Sequence, residues 1–174
     1  MSRVWVTSDT HFFHKNIIKY TNRPFHSVEE MNMTMIENWN KTVKVDDIIF
    51  HLGDFALGDE NTIRDLLTSL NGRKILIQGN HDIKKPVFYR NLGFSEVYKY
   101  PIFYQSQIIL SHKPQLQIIG TTLLNFHGHI HEKENVSSQH FNLSVEQTNY
   151  TPIQLDRLIT TKLKEANNGQ KKED

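Results

Sequence analysis

Five short polar segments each follow directly on an apolar run: Asp9-Thr10-His11, Gly53-Asp54, Gly79-Asn80-His81-Asp82, Ser111-His112 and His127-Gly128-His129-Ile130-His131. Each preceding run reads as a β-strand. Carboxylates and imidazoles at strand ends, in turns opened by glycine, describe a metal site. Its parts are far apart in the chain and meet only if the strands share a sheet and end at one edge.

The pattern along the chain agrees. Arg3 to Ser8 alternates and predicts a first strand. Ser27-Val28-Glu29-Glu30 is a capping box, with Glu30 expected to reach back to the Ser27 amide. It opens a helix to about Thr42 whose stripe of Val28, Met31, Met35 and Trp39 reads as core rather than as a methionine-lined groove. Asp47–Leu52 predicts a second strand, Asn61–Leu70 a helix ended by a left-handed cap at Asn71-Gly72, and Arg73–Gln78 a third strand. This alternation predicts a sheet with helices packed on it.

The second half differs. Short strands over Glu96–Tyr100, Ile102–Tyr104, Ile108–Ser111, Leu123–His127 and Phe141–Val145 have no strong helix between them. They predict a second, more antiparallel sheet stacked on the first. Thr151 as N-cap and Pro152 at N1 open a last helix to about Ala166, and the polar residues 167–174 predict a frayed tail. With no repeat or linker, the expectation is one domain over residues 1–166. Its class is α/β, with two stacked mixed β-sheets flanked by helices.

Composition narrows the chemistry. The 174 residues match one ordinary domain and contain no cysteine, hence no disulfide and no thiolate ligand. Met1-Ser2-Arg3 leads into a short strand rather than a signal peptide, and no apolar run approaches the ~20 residues that span a bilayer. A cytoplasmic protein without membrane contact is the expectation. The formal net charge is +1, with Lys and Arg scattered along the chain, which gives little support for a broad nucleic-acid-binding face. A phosphodiester substrate remains compatible, because bound cations would supply the local field.

Asp9 and Asp54 offer carboxylates, Asn80 a carbonyl oxygen, and His11, His112, His129 and His131 imidazoles. Seven such donors exceed what one tetrahedral ion uses and suit two divalent ions sharing a carboxylate. In Asp9-x-His11 and His129-x-His131 an extended backbone puts both side chains on one face. Gly53, Gly79 and Gly128 each precede a proposed ligand and are expected to permit a sharp turn. The donor set suits Mn²⁺ first, with Fe²⁺, Zn²⁺ or Ni²⁺ as alternatives.

The order DxH, GD, GNHD, SH, GHIH resembles the calcineurin-like metallophosphoesterase superfamily, from Asp9 to His131. The resemblance implies an αββα sandwich with a binuclear centre at the sheet ends. One ion would be held by Asp9, His11, Asp54 and His131, and the other by Asp54, Asn80, His112 and His129. His81 would contact the substrate phosphate and protonate the leaving oxygen after attack by a metal-bound hydroxide. The implied reaction is hydrolysis of a small phosphomonoester or phosphodiester, possibly a nucleotide. The alternatives are a nuclease acting on DNA or RNA and a catalytically silent scaffold of the same fold. The protein-phosphatase branch carries an Asp and an Arg shortly after Gly-Asp. Here Phe55-Ala56-Leu57-Gly58 follows, which argues against that branch and leaves His81 without an assigned orienting partner.

Other residues carry two readings. His14 flanks the pocket as a phosphate contact or is a capping or surface histidine. Arg23 grips phosphate or lies exposed in a turn. Phe12 and Phe13 floor a base pocket or belong to the core. His127 reads as a buried structural histidine, and His51 as packing or surface.

Overall fold

A computed structural model describes residues 2–170, with side chains through Lys164. Its two sheets are mixed and flanked by helices. The first has the order β4 (Glu96–Tyr98), β3 (Arg73–Ile77), β2 (Ile48–His51), β1 (Val4–Thr7), β9 (Ile153–Gln154). Strands β1 to β4 are mutually parallel and β9 runs antiparallel to β1. The second has the order β5 (Ile102–Tyr104), β6 (Ile108–Leu110), β7 (Leu124–His127), β8 (His140–Asn142).

Two expectations are corrected here. The strand at Glu96 joins the first sheet, beside β3. The second sheet is mainly parallel, since only β5–β6 is antiparallel whereas β6–β7 and β7–β8 are parallel. The connections explain this. Only β5 and β6 are joined by a tight turn, with Gln105 at φ 60°. The loops after β6 and β7 are long enough to return the chain to the start of the next strand.

The helices are α1 (Ile17–Tyr20), α2 (Val28–Thr42), α3 (Glu60–Ser69), α4 (Pro86–Leu92) and α5 (Leu155–Gln170). Ser27 Oγ caps α2 by accepting from Glu30 N at 3.1 Å. The Glu30 carboxylate accepts from His26 N at 2.7 Å, one residue before the expected Ser27 amide. Asp59 caps α3 through Thr62 N at 2.9 Å, and Leu70 ends that helix in an extended conformation. Gly72, at φ 85°, therefore belongs to the turn into β3 rather than to a helix cap. The short α4, with Pro86 at N1 and Gly93 after its end, was not expected from the sequence. Pro152 precedes β9, so α5 starts at Leu155, and it continues to Gln170, past the expected end. Residues 171–174 of the expected tail lie outside the described residues. Among the described residues no helix is long and apolar enough to cross a membrane.

Alternation along the central strands builds two cores. Trp5, Ile49, Leu76 and Val97 face α2, α3 and α4, packing with Met31, Met35, Trp39, Ile63, Leu67 and Leu92. Val6, Phe50, Ile75 and Ile77 face the second sheet, packing with Ile108, Leu110, Leu124, Phe126 and Leu143, and with Leu155 and Ile159 of α5. The sheets are joined at one edge, where Ser8 bridges to Ser144 and Val145 N donates to Ser8 O at 3.1 Å.

At the opposite end of β1 and β2 the buried Asp47 carboxylate accepts from Arg3 N (2.8 Å), Trp5 Nε1 (2.9 Å) and Lys44 N (3.0 Å). Removing it strands three donors, at roughly 1–3 kcal/mol for the first left unsatisfied. Asp47→Ala should lower unfolding stability by about 2–4 kcal/mol in urea titration. A loss below about 0.5 kcal/mol, the size of an ordinary surface effect, would contradict this anchoring.

Candidate metal centre

Asp9 and His11 follow β1, Asp54 follows β2, Asn80 follows β3, His112 follows β6, and His129 and His131 follow β7. All seven thus lie just beyond the carboxyl ends of parallel strands, where open α/β sheets place ligands. Five of them, Asp9, His11, Asp54, His129 and His131, have left-handed backbones with φ between 48° and 72°. Non-glycine residues adopt this region rarely, and a run of strand would carry these side chains past one another. Ladder-like hydrogen bonds hold the bent segments: Asp9 N to Gly53 O and His11 N to Asp54 O, both at 3.0 Å, and Gly128 N to His112 O at 2.9 Å.

Two groups of donors result, Asp9–His11–His131 and Asp54–His112–His129, the ligand atoms of each within 4.8 Å of one another. In the first, Asp9 Oδ2 accepts from His129 N (2.9 Å) and Ser144 Oγ (3.0 Å). Asp9 Oδ1 and His11 Nε2 are buried and have no hydrogen-bond partner. His131 Nδ1 faces Glu146 Oε1 at 3.1 Å, which leaves its Nε2 directed toward Asp9 Oδ1, 3.9 Å away. A carboxylate holding the far nitrogen of an imidazole is the usual support of a metal-ligating histidine.

In the second group His112 Nδ1 donates to Leu52 O at 2.9 Å. Its Nε2 then faces Asn80 Oδ1 (2.9 Å), His129 Nδ1 (3.2 Å) and Asp54 Oδ2 (3.4 Å). Two nitrogens and two side-chain oxygens converging this closely form a donor set that suits a cation. Asp54 Oδ2 also lies 3.5 Å from His11 Nε2, so it stands between the groups. Divalent ions fit both groups.

Titration favours the same reading. Burial, with help from Arg23 and neighbouring imidazoles, pulls His11 down to about 2, and burial with the nearby His112 and Lys113 charges pulls His129 down to about 4. Both are neutral at ordinary pH, the form in which an imidazole can bind a metal ion. Burial raises the Asp9 carboxyl against the opposing pull of His112 and His131, so its ionised form lacks a compensating positive charge. Burial pulls His131 down, yet the hydrogen bond it donates to Glu146 and the Asp9 charge leave it raised.

His81 sits over the centre with its side chain 62% exposed and Nε2 4.0 Å from Asp54 Oδ2, while its own N–H donates to Asp54 Oδ1 at 2.8 Å. Asp82 turns away from it. That buried carboxylate accepts from Asp54 N (2.7 Å), Gly79 N (2.8 Å) and Phe55 N (3.2 Å), tying the end of β2 to the end of β3. His14 is half-buried, with its ring 5.6 Å from that of His11 and 6.5 Å from that of His81. It lines a cleft of ≈ 430 Å³ with Ile17, Tyr20, Ile130 and Lys133, floored by the site histidines.

Arg23 is neither exposed nor directed at the cleft. Its buried guanidinium donates to Asp9 O (2.7 Å), Thr10 O (2.9 Å) and Glu146 Oε1 (2.8 Å). Phe12 is core, packed on Phe55, and Phe13 packs against the same cluster. His51 is buried, with Gly53 N donating to its Nδ1 (3.2 Å), so Nε2 donates to Thr10 Oγ1 (2.9 Å). Burial lowers it to about 3, aided by the His112 charge. His127 is buried and donates to Gly128 O at 2.8 Å. Of the three glycines, only Gly53 has a positive φ, 98°. Gly79 and Gly128 serve by lacking a Cβ, which would overlap Asp54 Oδ1 in one case and Ser8 Oγ and Asp9 Oδ2 in the other.

Sequence reasoning missed Ser144 and Glu146, which hold Asp9 and His131. Their position after β8, within bonding reach of the β1 and β7 turns, appears only in the folded sheet.

This arrangement of strand ends and donors matches a known class. The profile of the calcineurin-like phosphoesterase family covers residues 2–170, and the chain belongs to that family. An uncharacterized protein of Methanocaldococcus jannaschii is 38% identical over 173 residues, covering 91% of this chain and 90% of that protein. A protein of unknown function from Aquifex aeolicus superposes with a TM-score of 0.74 at 28% identity, covering 92% of this chain and 99% of that one. The nuclease MPE of Pseudomonas putida shares the fold, with a TM-score of 0.50 at 19% identity, over 74% of this chain and 62% of that one.

Glu146→Gln keeps the shape of the side chain but removes the charge that orients His131 and neutralises Arg23. Titration of the chelated protein with Mn²⁺ should show about 10–100-fold weaker binding of one ion, the usual cost of losing such a support. Unchanged affinity for both ions would contradict the supporting role.

Proposed function

We propose that the protein is a hydrolase of phosphoric esters that works with two divalent ions, Mn²⁺ foremost, and cleaves a small phosphomonoester or phosphodiester. The observation that carries this reading is the convergence of two donor groups on Asp54, with Asp9 Oδ1 and His11 Nε2 buried and partnerless. Asp9, His11, Asp54 and His131 would hold one ion, and Asp54, Asn80, His112 and His129 the other. When bound, such a pair polarises a phosphoryl group and supplies a nucleophilic water near neutral pH.

The protein's own residues do the rest. Asp82 and the Arg23–Glu146 pair fix the carboxylate and imidazoles in advance, so no reorganisation is needed as charge develops. His81, exposed above Asp54 and anchored through its own N–H, holds a proton at Nε2 for the leaving oxygen. His14 stands beside it to meet a phosphate oxygen at the cleft wall.

The direct test is hydrolysis of bis-p-nitrophenyl phosphate and p-nitrophenyl phosphate after chelation and reloading. Turnover with Mn²⁺ is expected, and silence with Mn²⁺, Fe²⁺, Zn²⁺ and Ni²⁺ alike would sink the enzymatic reading and favour a scaffold. Asp54→Asn should cost at least one ion per chain by metal analysis and nearly all turnover; full metal stoichiometry would contradict its bridging role. His81→Ala should keep both ions yet slow turnover by about 10²–10⁴-fold, most for poor leaving groups. An equal loss for good and poor leaving groups would show that His81 is not the acid.

A further inference from the structure

The surface on the Asn80 and His112 side of the centre falls into a hollow of ≈ 230 Å³ walled by Lys99, Tyr100 and Lys113. It runs into a second hollow of ≈ 320 Å³ walled by Lys84, Lys85 and Lys99, the two sharing Gln78, Gly79 and Lys99. All four lysines are exposed. The one carboxylate on these walls is Asp82, which is buried and bonded to three backbone N–H groups. Among the described residues none of the four lysines is ion-paired. Lys99 Nζ instead lies over the Tyr100 ring at 5.6 Å and Lys84 Nζ over the Phe88 ring at 6.0 Å. The chain carries a formal net charge of only +1. Four unopposed ammonium groups along one groove are therefore a local concentration that composition hides, and their mutual repulsion is relieved by a polyanion.

We propose that this groove is the track of a single-stranded polynucleotide, which would make the protein's substrate a phosphodiester chain. The proposal rests on the phosphoesterase reading of the centre. The scissile phosphate lies at Asp54, and the phosphates that follow it meet Lys113, Lys99 and then the Lys84–Lys85 pair. A mononucleotide would use one cation beyond the centre, whereas a line of four serves several phosphates. The cations form a track rather than a broad face, and Tyr100, 69% exposed between them, offers a stacking surface to an unpaired base. A duplex has its bases turned inward and would leave that ring unused. In the reaction, water is the co-reactant. Its oxygen forms the new bond to phosphorus, the bond from phosphorus to one sugar oxygen breaks, and that oxygen takes the proton from His81. The products are a terminal phosphate on one fragment and a hydroxyl on the other.

The test uses the whole Mn²⁺-loaded protein with end-labelled DNA and RNA oligonucleotides, single-stranded and duplex, beside bis-p-nitrophenyl phosphate. Cleavage of single strands is expected, and the DNA and RNA arms show which sugar is accepted. Lys85→Ala/Lys99→Ala should lower kcat/KM on the preferred oligonucleotide by about tenfold or more, as expected when roughly 1.4 kcal/mol of phosphate contact is lost. Its slope of log kcat/KM against log salt should shrink by about 1.4, or 0.7 per phosphate contact on a single strand. Turnover of bis-p-nitrophenyl phosphate should stay within about twofold, because both lysines are exposed and neither is hydrogen-bonded or ion-paired to a candidate ligand. Fluorescence anisotropy with the same oligonucleotides should show the same loss of affinity, which keeps the track testable without turnover. Wild-type protein that hydrolyses the small diester but neither cleaves nor binds any oligonucleotide would overturn the track and leave the phosphoesterase reading standing. Equal behaviour of wild type and variant on the oligonucleotide, or a preference for duplex, would also overturn it.

Discussion

Three imidazole nitrogens, from His11, His112 and His81, lie within 4.0 Å of one carboxylate oxygen, Asp54 Oδ2. The rest of the site exists to keep that oxygen in place. Its residue follows β2, near the middle of the first sheet, and is held by the Asp82 carboxylate through its own amide and those of Phe55 and Gly79. One buried acid thereby fixes the ends of two strands, and through them the relation of Asp54 to Asn80. Gly79 must lack a Cβ because Asp54 occupies the space that atom would take.

This geometry costs stability. Five candidate ligands hold left-handed backbones at of order 1 kcal/mol or more each. Asp9 Oδ1 and His11 Nε2 are also buried without a hydrogen-bond partner. The packed cores on either side of the first sheet offset these costs, and all five of these residues lie at the edge where parallel strands end. Arg23 joins the two problems. Its guanidinium binds the carbonyls of Asp9 and Thr10, in the bent segment after β1, and with the same fork holds Glu146, which orients His131. A phosphate-gripping role is thereby closed to it, because its donors are committed inside the protein.

The candidate ligands were legible because each sits directly after an apolar run, and strand ends are where a sheet gathers side chains from remote positions. The central helices were legible for a similar local reason, as with Ser27 and the stripe from Met31 to Trp39. Strand direction was not. Alternation reveals which face a residue takes but not whether the next strand returns parallel, so the second sheet was misread. Residues whose roles arise from distant partners were hidden too. Arg23 and Glu146 are separated by 123 positions, and nothing local marks either as a support. The Lys84–Lys85 pair, Lys99 and Lys113 look scattered in the chain because they come from three loops, which only the fold brings to one groove.

The account stands or falls on two ions sharing Asp54. Low-temperature electron paramagnetic resonance of the chelated protein, reloaded with increasing Mn²⁺, measures this directly. Two ions joined through one carboxylate oxygen should couple magnetically, giving the signature of a spin-coupled pair that saturates at two equivalents. A spectrum of isolated Mn²⁺ saturating at one equivalent, or two equivalents without coupling, would contradict a bridged centre.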